Sequence, residues 1–243
     1  MNIALIGYGK MGREVEQMAA TRPVTIKKVF PTDREIISIN KHTLHGVDVC
    51  VDFTSPSATL DVVQRVAGAG VNLVVGTTGW YDQIDDVAAI VRKTRTGLLY
   101  SPNFSLGMNL FMRIVGEAAK ALQSFDAYDT AVHEMHHREK KDSPSGTALS
   151  IGRILLAELG RKRQLLTDPS HGTIPADMLH ITSTRVGRVV GTHSVIFDSE
   201  ADTIELTHRA KNRSGFALGA LVAAEWLVGK KGMFTMDDVV STL

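Results

Sequence analysis

The stretch Val132-His-Glu-Met-His-His-Arg-Glu-Lys-Lys-Asp-Ser-Pro-Ser-Gly-Thr-Ala-Leu149 concentrates the chemistry of this chain. Three His, one Arg and two Lys fall within nine residues, and Pro144 and Gly146 then lead into an apolar, helix-like run. Such donors beside a helix N-terminus suit a small polyanion, because the free N–H groups there point outward and titratable side chains stand ready to move protons. The same letters also spell a zinc-protease pattern, His133-Glu134-Met135-His136-His137.

A zincin needs His133 and His137 one helical turn apart, with Glu134 as general base. The local pattern favours a strand instead: Asp126 to His137 alternates and carries Tyr128, Thr130 and Val132. Residues four apart on a strand share a face but lie about 13 Å apart at ~3.3 Å rise each. Two ligands must each come within about 2.1 Å of one zinc ion. Strand spacing therefore excludes zinc; no metal is expected, and His133 becomes a scaffold position. In the anion reading, Ser145 caps a helix whose later apolar positions are Ile151, Ile154, Leu155 and Leu159. The N–H groups of Gly146 and Thr147 then face the ligand, with Lys140 and the His136-His137 pair opposite.

The elements that must carry these residues divide in two. Asn2 to Ile6 reads as a buried strand, followed by Met11, Val15, Met18 and Ala19 at helical spacing. Strands at Val24–Phe30, Val47–Phe53, Val71–Val75 and Leu98–Tyr100 follow, separated by helical patterns from Ser55-Pro56 through Val66 and from Ile84 to Val91. Short continuous apolar strands alternating with helices imply a doubly wound, Rossmann-like α/β domain with a parallel sheet. After Phe104 the rhythm changes. Leu106 to Phe125 is one long amphipathic helix, Ser145 to Leu159 is another, and Leu179 to His208 holds two or three strands. That is the signature of an α+β domain with a mostly antiparallel sheet. Phe216 to Val228 is an apolar helix suited to pack back on the first domain. The division expected is 1–105 with 215–243 for dinucleotide binding, and 106–214 for substrate binding.

Gly7-Tyr8-Gly9-Lys10-Met11-Gly12 joins the first strand to the first helix in the spacing G-x-G-x-x-G. A dinucleotide pyrophosphate needs backbone donors at a helix N-terminus with no side chain in the way. Two further loops, Gly76-Thr77-Thr78-Gly79 and Ser101-Pro102-Asn103-Phe104, end parallel strands at the edge where such sheets bind ligands, and suit the nicotinamide. At the ribose-reading position stand Phe30-Pro31-Thr32, then Asp33 and Arg34. Asp33 would accept from a 2′-hydroxyl and Arg34 would offset a 2′-phosphate, so NADH and NADPH both stay open.

Composition narrows the remainder. The 243 residues carry a formal net charge of +1, with 44% hydrophobic and 22% charged residues, which suits neither nucleic acid nor an anionic membrane as partner. Cys50, the single cysteine, lies in an apolar run and reads as an inert core thiol. With no signal-type N-terminus and no run of membrane-spanning length, a cytoplasmic protein is expected.

Together these segments resemble the 4-hydroxy-tetrahydrodipicolinate (dihydrodipicolinate) reductase family. The resemblance rests on the Gly7–Gly12 turn, Gly76-Thr-Thr-Gly79, Ser101-Pro-Asn-Phe-Ser-Leu-Gly-Met-Asn109, His136-His-Arg-Glu-Lys140 and Asp142-Ser-Pro-Ser-Gly-Thr147, then Val190-Gly-Thr-His193 and Thr207-His-Arg-Ala210. It departs at the ribose position and in a short connection between the second and third strands. The resemblance implies reduction of a cyclic imine dicarboxylate by NADH or NADPH in lysine and diaminopimelate biosynthesis. It implies His136 as proton donor/acceptor, Lys140 as proton donor, and His137, Gly146 and Thr147 as holders of the substrate carboxylates. A homotetramer formed through the C-terminal sheet and closure of the domains over both ligands are also implied. Another small-acid dehydrogenase would share the fold, as would a non-catalytic nicotinamide sensor; His136 and Lys140 beside Gly146-Thr147 speak against the sensor.

Overall fold

The computed structural model describes residues 1–242 of the chain. It divides into two compact units, Met1–Asn109 with Ser214–Leu243, and Leu110–Arg213.

The first unit is built on a six-stranded sheet. Strands β1 (Asn2–Ile6), β2 (Thr25–Phe30), β3 (Val49–Asp52), β4 (Asn72–Val75), β5 (Gly97–Tyr100) and β11 (Gly232–Phe234) stand in the order β11-β5-β4-β3-β1-β2. Every pairing is parallel. Parallel strands are covered on both faces, which is why β3 and the apolar part of β4 are buried without alternation. One face packs Leu5, Val51, Val74 and Leu99 against helices α1 (Lys10–Ala19), α6 (Ser214–Leu227) and α7 (Met236–Val240). The other packs Ile6, Cys50, Leu73 and Leu98 against α2 (Thr59–Gly68) and α3 (Ile84–Thr94). The expected doubly wound architecture is therefore present. Between β2 and β3 the chain makes only a 3₁₀ helix, Asp33–Ser38, in place of an α-helix.

Two C-terminal elements, β11 and α7, and the residue that anchors their return escaped the sequence reading. Asn72 explains why the last segment returns: its side-chain amide donates to the carbonyls of Leu227 and Lys230 at 2.8 and 3.1 Å, and its oxygen accepts from Gly97 N. That fixes the end of α6 against the sheet and sets up β11 as its edge. β11 is three residues long and α7 five, too short for either to show a period.

The second unit has five strands in the order β10-β9-β6-β8-β7: β6 (Asp129–His136), β7 (Gln164–Leu166), β8 (Met178–Arg185), β9 (Thr192–Asp198) and β10 (Thr203–Arg209). β6, β9 and β10 run antiparallel in turn, while β6, β8 and β7 are parallel. α4 (Leu106–Leu122) leads into this unit, and α5 (Gly146–Glu158) packs on β6 and β8 through Ala148, Ile151 and Leu155. No helix among the described residues is long and apolar enough to cross a membrane.

Candidate active site

The glycine turn is shaped by backbone approach. Gly7 has φ of +83°, and a Cβ there would lie 2.4 Å from the Phe53 carbonyl oxygen. A Cβ on Gly12 would lie 2.4 Å from Gly7 O, so the first turn of α1 rests directly on the loop. Gly9, the N-cap of α1, has nothing within 4 Å of its missing Cβ. Two glycines serve the fold and the third leaves space in front of the helix N-terminus. That combination fits a pyrophosphate. Lys10 is exposed and Met11 half-buried at the same turn. Tyr8 hydrogen-bonds Glu16 and carries the Arg13 guanidinium over its ring at 5.6 Å.

Asp52, at the carboxyl end of β3, organises the neighbouring loops and was missed in the sequence. Fully buried, it accepts from Thr54 N at 3.1 Å, Thr54 Oγ1 at 2.7 Å and Thr77 Oγ1 at 2.9 Å. Burial pushes its carboxyl up to about 6, against the hydrogen bonds from the two threonines. Thr77 is thereby held inward, and its carbonyl accepts from Trp80 Nε1 at 2.8 Å, while Thr78 stays exposed beside it. Ser101 Oγ donates to Asn103 O at 2.9 Å and accepts from Asn103 N at 3.1 Å, closing the loop after β5, with Pro102 exposed between them. Phe104 points its ring into the core, edge-on to Phe53 at 6.4 Å, which leaves only its backbone to face a ligand. Asp33 accepts from Ser55 Oγ at 2.9 Å, while Arg34 is exposed beside it.

In the second unit β6 alternates strictly, with Thr130, Val132, Glu134 and His136 on the buried face. His133 is on the opposite face, its Nδ1 2.9 Å from Thr182 Oγ1. The zincin helix does not exist; the pattern lies on a strand, as its alternation requires. His137 follows β6 and accepts from Lys140 N at 3.1 Å, making a turn that brings Lys140 back. Lys140 Nζ lies 2.8 Å from Asp142 Oδ1 and 3.0 Å from Oδ2. That hydrogen bond, with Gly146 N–H, holds the Asp142 carboxyl below its usual range. Ser145 is the N-cap of α5: its Oγ accepts from Ala148 N at 3.2 Å, and Gly146 and Thr147 form the first turn.

His136 is buried, and desolvation holds its pKa below the ordinary histidine value despite the Glu134 carboxylate beside it. His193, on β9, stacks edge-on to it at 5.2 Å and is driven down to about 4 by burial and by His136. Gly191 allows this packing: a Cβ there would lie 3.0 Å from His136 Nε2. Glu134, His136 and His193 bring ligating atoms within 4.8 Å of one another. Arg185 Nη2 already sits 2.7 Å from Glu134 Oε1, so the cluster holds a guanidinium where a metal cage would need free carboxylate. Arg185 carried no local signal in the sequence, and Gly191 and His193 stood there only in a resembling segment without a role, because what they do comes from strand pairing. Glu134 carried one: a charge on the inward face of a strand demands a partner.

An open glycine turn on a parallel sheet, and in the second unit a histidine and lysine cluster at a capped helix, fit a pyridine-nucleotide-dependent oxidoreductase. The family model described as dihydrodipicolinate reductase, N-terminus, matches residues 1–104, and that for its C-terminus matches residues 107–240. A 4-hydroxy-tetrahydrodipicolinate reductase of Christiangramia forsetii is 39% identical over 100% of this chain and 99% of its own. One of Anaeromyxobacter dehalogenans is 43% identical over 96% and 84% of the two chains. The chain belongs to the dihydrodipicolinate reductase family. In fold it matches a dipicolinate-bound dihydrodipicolinate reductase from Paenisporosarcina sp. TG-14, with TM-score 0.75 and 22% identity over 97% of both chains.

Proposed function

We propose that this protein reduces the dihydrodipicolinate-type cyclic imine dicarboxylate, formed from 4-hydroxy-tetrahydrodipicolinate, to tetrahydrodipicolinate in lysine and diaminopimelate biosynthesis. The observation that carries the reading is the cluster at the end of β6, where His136 and Lys140 stand with the Ser145-capped N-terminus of α5 in one family-ordered segment. NADH or NADPH supplies the hydride. The Gly7–Gly12 turn holds its pyrophosphate, with Tyr8, Lys10 and Met11 around it. Gly76, Thr77, Thr78, Ser101, Pro102, Asn103 and the Phe104 backbone hold its nicotinamide end.

His137 and the N–H groups of Gly146 and Thr147 bind the substrate carboxylates, since helix-terminal donors and cationic side chains compensate their charge. Hydride addition to a conjugated C=C–C=N system leaves negative charge that must be protonated. The hydride adds to the outer carbon of the C=C, and the charge spreads over nitrogen and the inner carbon. The one proton that inner carbon takes comes from Lys140, with His136 as proton donor/acceptor at Nε2. The protein works in the cytoplasm as a homotetramer joined through the second unit's sheet. The exposed faces of the edge strand β10 support that assembly.

The test is NADH and NADPH oxidation by the folded protein, with substrate made in situ by condensing pyruvate with aspartate semialdehyde. Consumption above the substrate-free rate is the expected result. A folded protein that binds nucleotide yet consumes neither cofactor would sink the proposal.

A further inference from the structure

Glu134 follows Thr130 and Val132 on the inward face of β6 and precedes His136, and its side chain is fully buried. A buried ion pair contributes no more stability than well-packed apolar groups, so folding alone does not call for a carboxylate there. Its contacts suggest what does. Oε1 accepts from Arg185 Nη2 at 2.7 Å and from Ser145 N, the α5 N-cap, at 3.2 Å. Oε2 meets Nδ1 of His136 in an ion-pair contact, and neither of those two buried atoms has another hydrogen-bond partner. Arg185 reaches on to the Asp142 carbonyl at 2.6 Å, in the turn that carries Lys140.

We infer that Glu134 is a positioning residue that fixes the His136 ring with Nδ1–H toward its carboxylate and Nε2 toward the reacting centre, while tying that ring to the α5 N-terminus. This rests on the proton-transfer role proposed for His136. The neutral ring has one N–H, and the hydrogen bond made by one nitrogen decides the state of the other. A carboxylate oxygen facing Nδ1 accepts from an N–H there, which selects Nδ1–H and leaves Nε2 as the exchanging atom, beside Gly191, where a side chain would crowd it. Hydrogen bonds from Arg185, Ser183 and Ser145, with the charge of His136, hold the Glu134 carboxyl below its usual range against its burial.

The charged and titratable groups facing His136 are Glu134 on its own strand, Arg185 on β8, His193 on β9 and Lys140 from the following turn. Only Glu134 favours the imidazolium; desolvation, Lys140 and Arg185 oppose it. Removing that carboxylate therefore moves the proton loss of His136 to lower pH.

The experiment pairs steady-state kinetics with ¹⁵N NMR of the histidines in the full-length protein. Glu134→Gln should lower kcat about ten- to a hundred-fold, within the range a general acid–base group contributes. KM and nucleotide Kd should change less than about threefold, and Glu134→Asp should recover part of kcat. In the wild type, neutral His136 should be the Nδ1–H tautomer; Glu134→Gln should mix the tautomers and lower the pH of proton loss. Full kcat in Glu134→Gln, or an Nε2–H tautomer in the wild type, overturns the inference. If Glu134→Gln does not fold, the wild-type tautomer decides alone. A wild type inactive on the dicarboxylate rejects the proposed function, whereas the tautomer still tests the positioning role.

Discussion

Replacing Gly9 by Val should separate nucleotide binding from stability, and Gly12→Ala supplies the contrast. Gly9 caps α1, and nothing lies within 4 Å of where its Cβ would be, so the fold has room for a side chain. The cost to folding is the weaker N-cap, about 1 kcal/mol, or roughly 3 °C in Tm for a chain of this size. The pyrophosphate needs the same space. Losing two charge-assisted hydrogen bonds to the helix N-terminus, at about 1.5–3 kcal/mol each, weakens binding by about a hundredfold or more. At Gly12 a Cβ would sit 2.4 Å from Gly7 O, a backbone atom that cannot swing aside. Overpacking of that kind costs up to about 3 kcal/mol, and Tm should fall by roughly 10 °C. Fluorescence titration with NADH and NADPH gives Kd, and thermal melts of nucleotide-free protein give Tm. The reasoning fails if Gly9→Val keeps Kd within threefold of wild type, or if it melts as low as Gly12→Ala.

Lys140→Ala should lower kcat by about a hundredfold or more while leaving nucleotide Kd unchanged, the loss being that of a proton donor; full turnover in the NAD(P)H assay would remove Lys140 from that role. Gly191→Ala places a methyl 3.0 Å from His136 Nε2, and displacing the ring by a few tenths of an ångström should cost about tenfold in kcat with little change in Tm. Asp52 predicts a pH effect on stability. Its folded pKa, about 6, lies above the unfolded value of 3.8, so its contribution is complete below that value and is lost as pH rises through 6. The loss is about 3 kcal/mol between pH 2 and pH 8, and denaturant melts of Asp52→Asn should lack that slope. An unaltered pH dependence in Asp52→Asn would show that this carboxyl does not carry it.

Much of the first unit was legible because its signals are local. A parallel strand covered on both faces must be apolar along its length, and a helix N-terminus that admits phosphate must be bare, so β1, β3 and Gly9 announce themselves. The Ser145 cap of α5 was legible for the same reason, since its partner is Ala148, three residues on. β7, β11 and α7 were not, being too short to show a period.

By itself the sequence determined the sheet classes, the glycine turn between β1 and α1, and a strand rather than a helix under His133 to His136, because each follows from spacing within one element. Only the tertiary structure decided what the histidines touch. His193 reaches His136 across the β6–β9 pairing and Arg185 lies beside it in register on β8, contacts spanning about fifty residues of chain. Glu134 changes from a candidate metalloprotease base into the partner of an arginine, a helix cap and a histidine at once. Spacing along one strand says which face a charge occupies. Its partners on that face are set by the register of the neighbouring strands, which the residues of β6 alone do not contain.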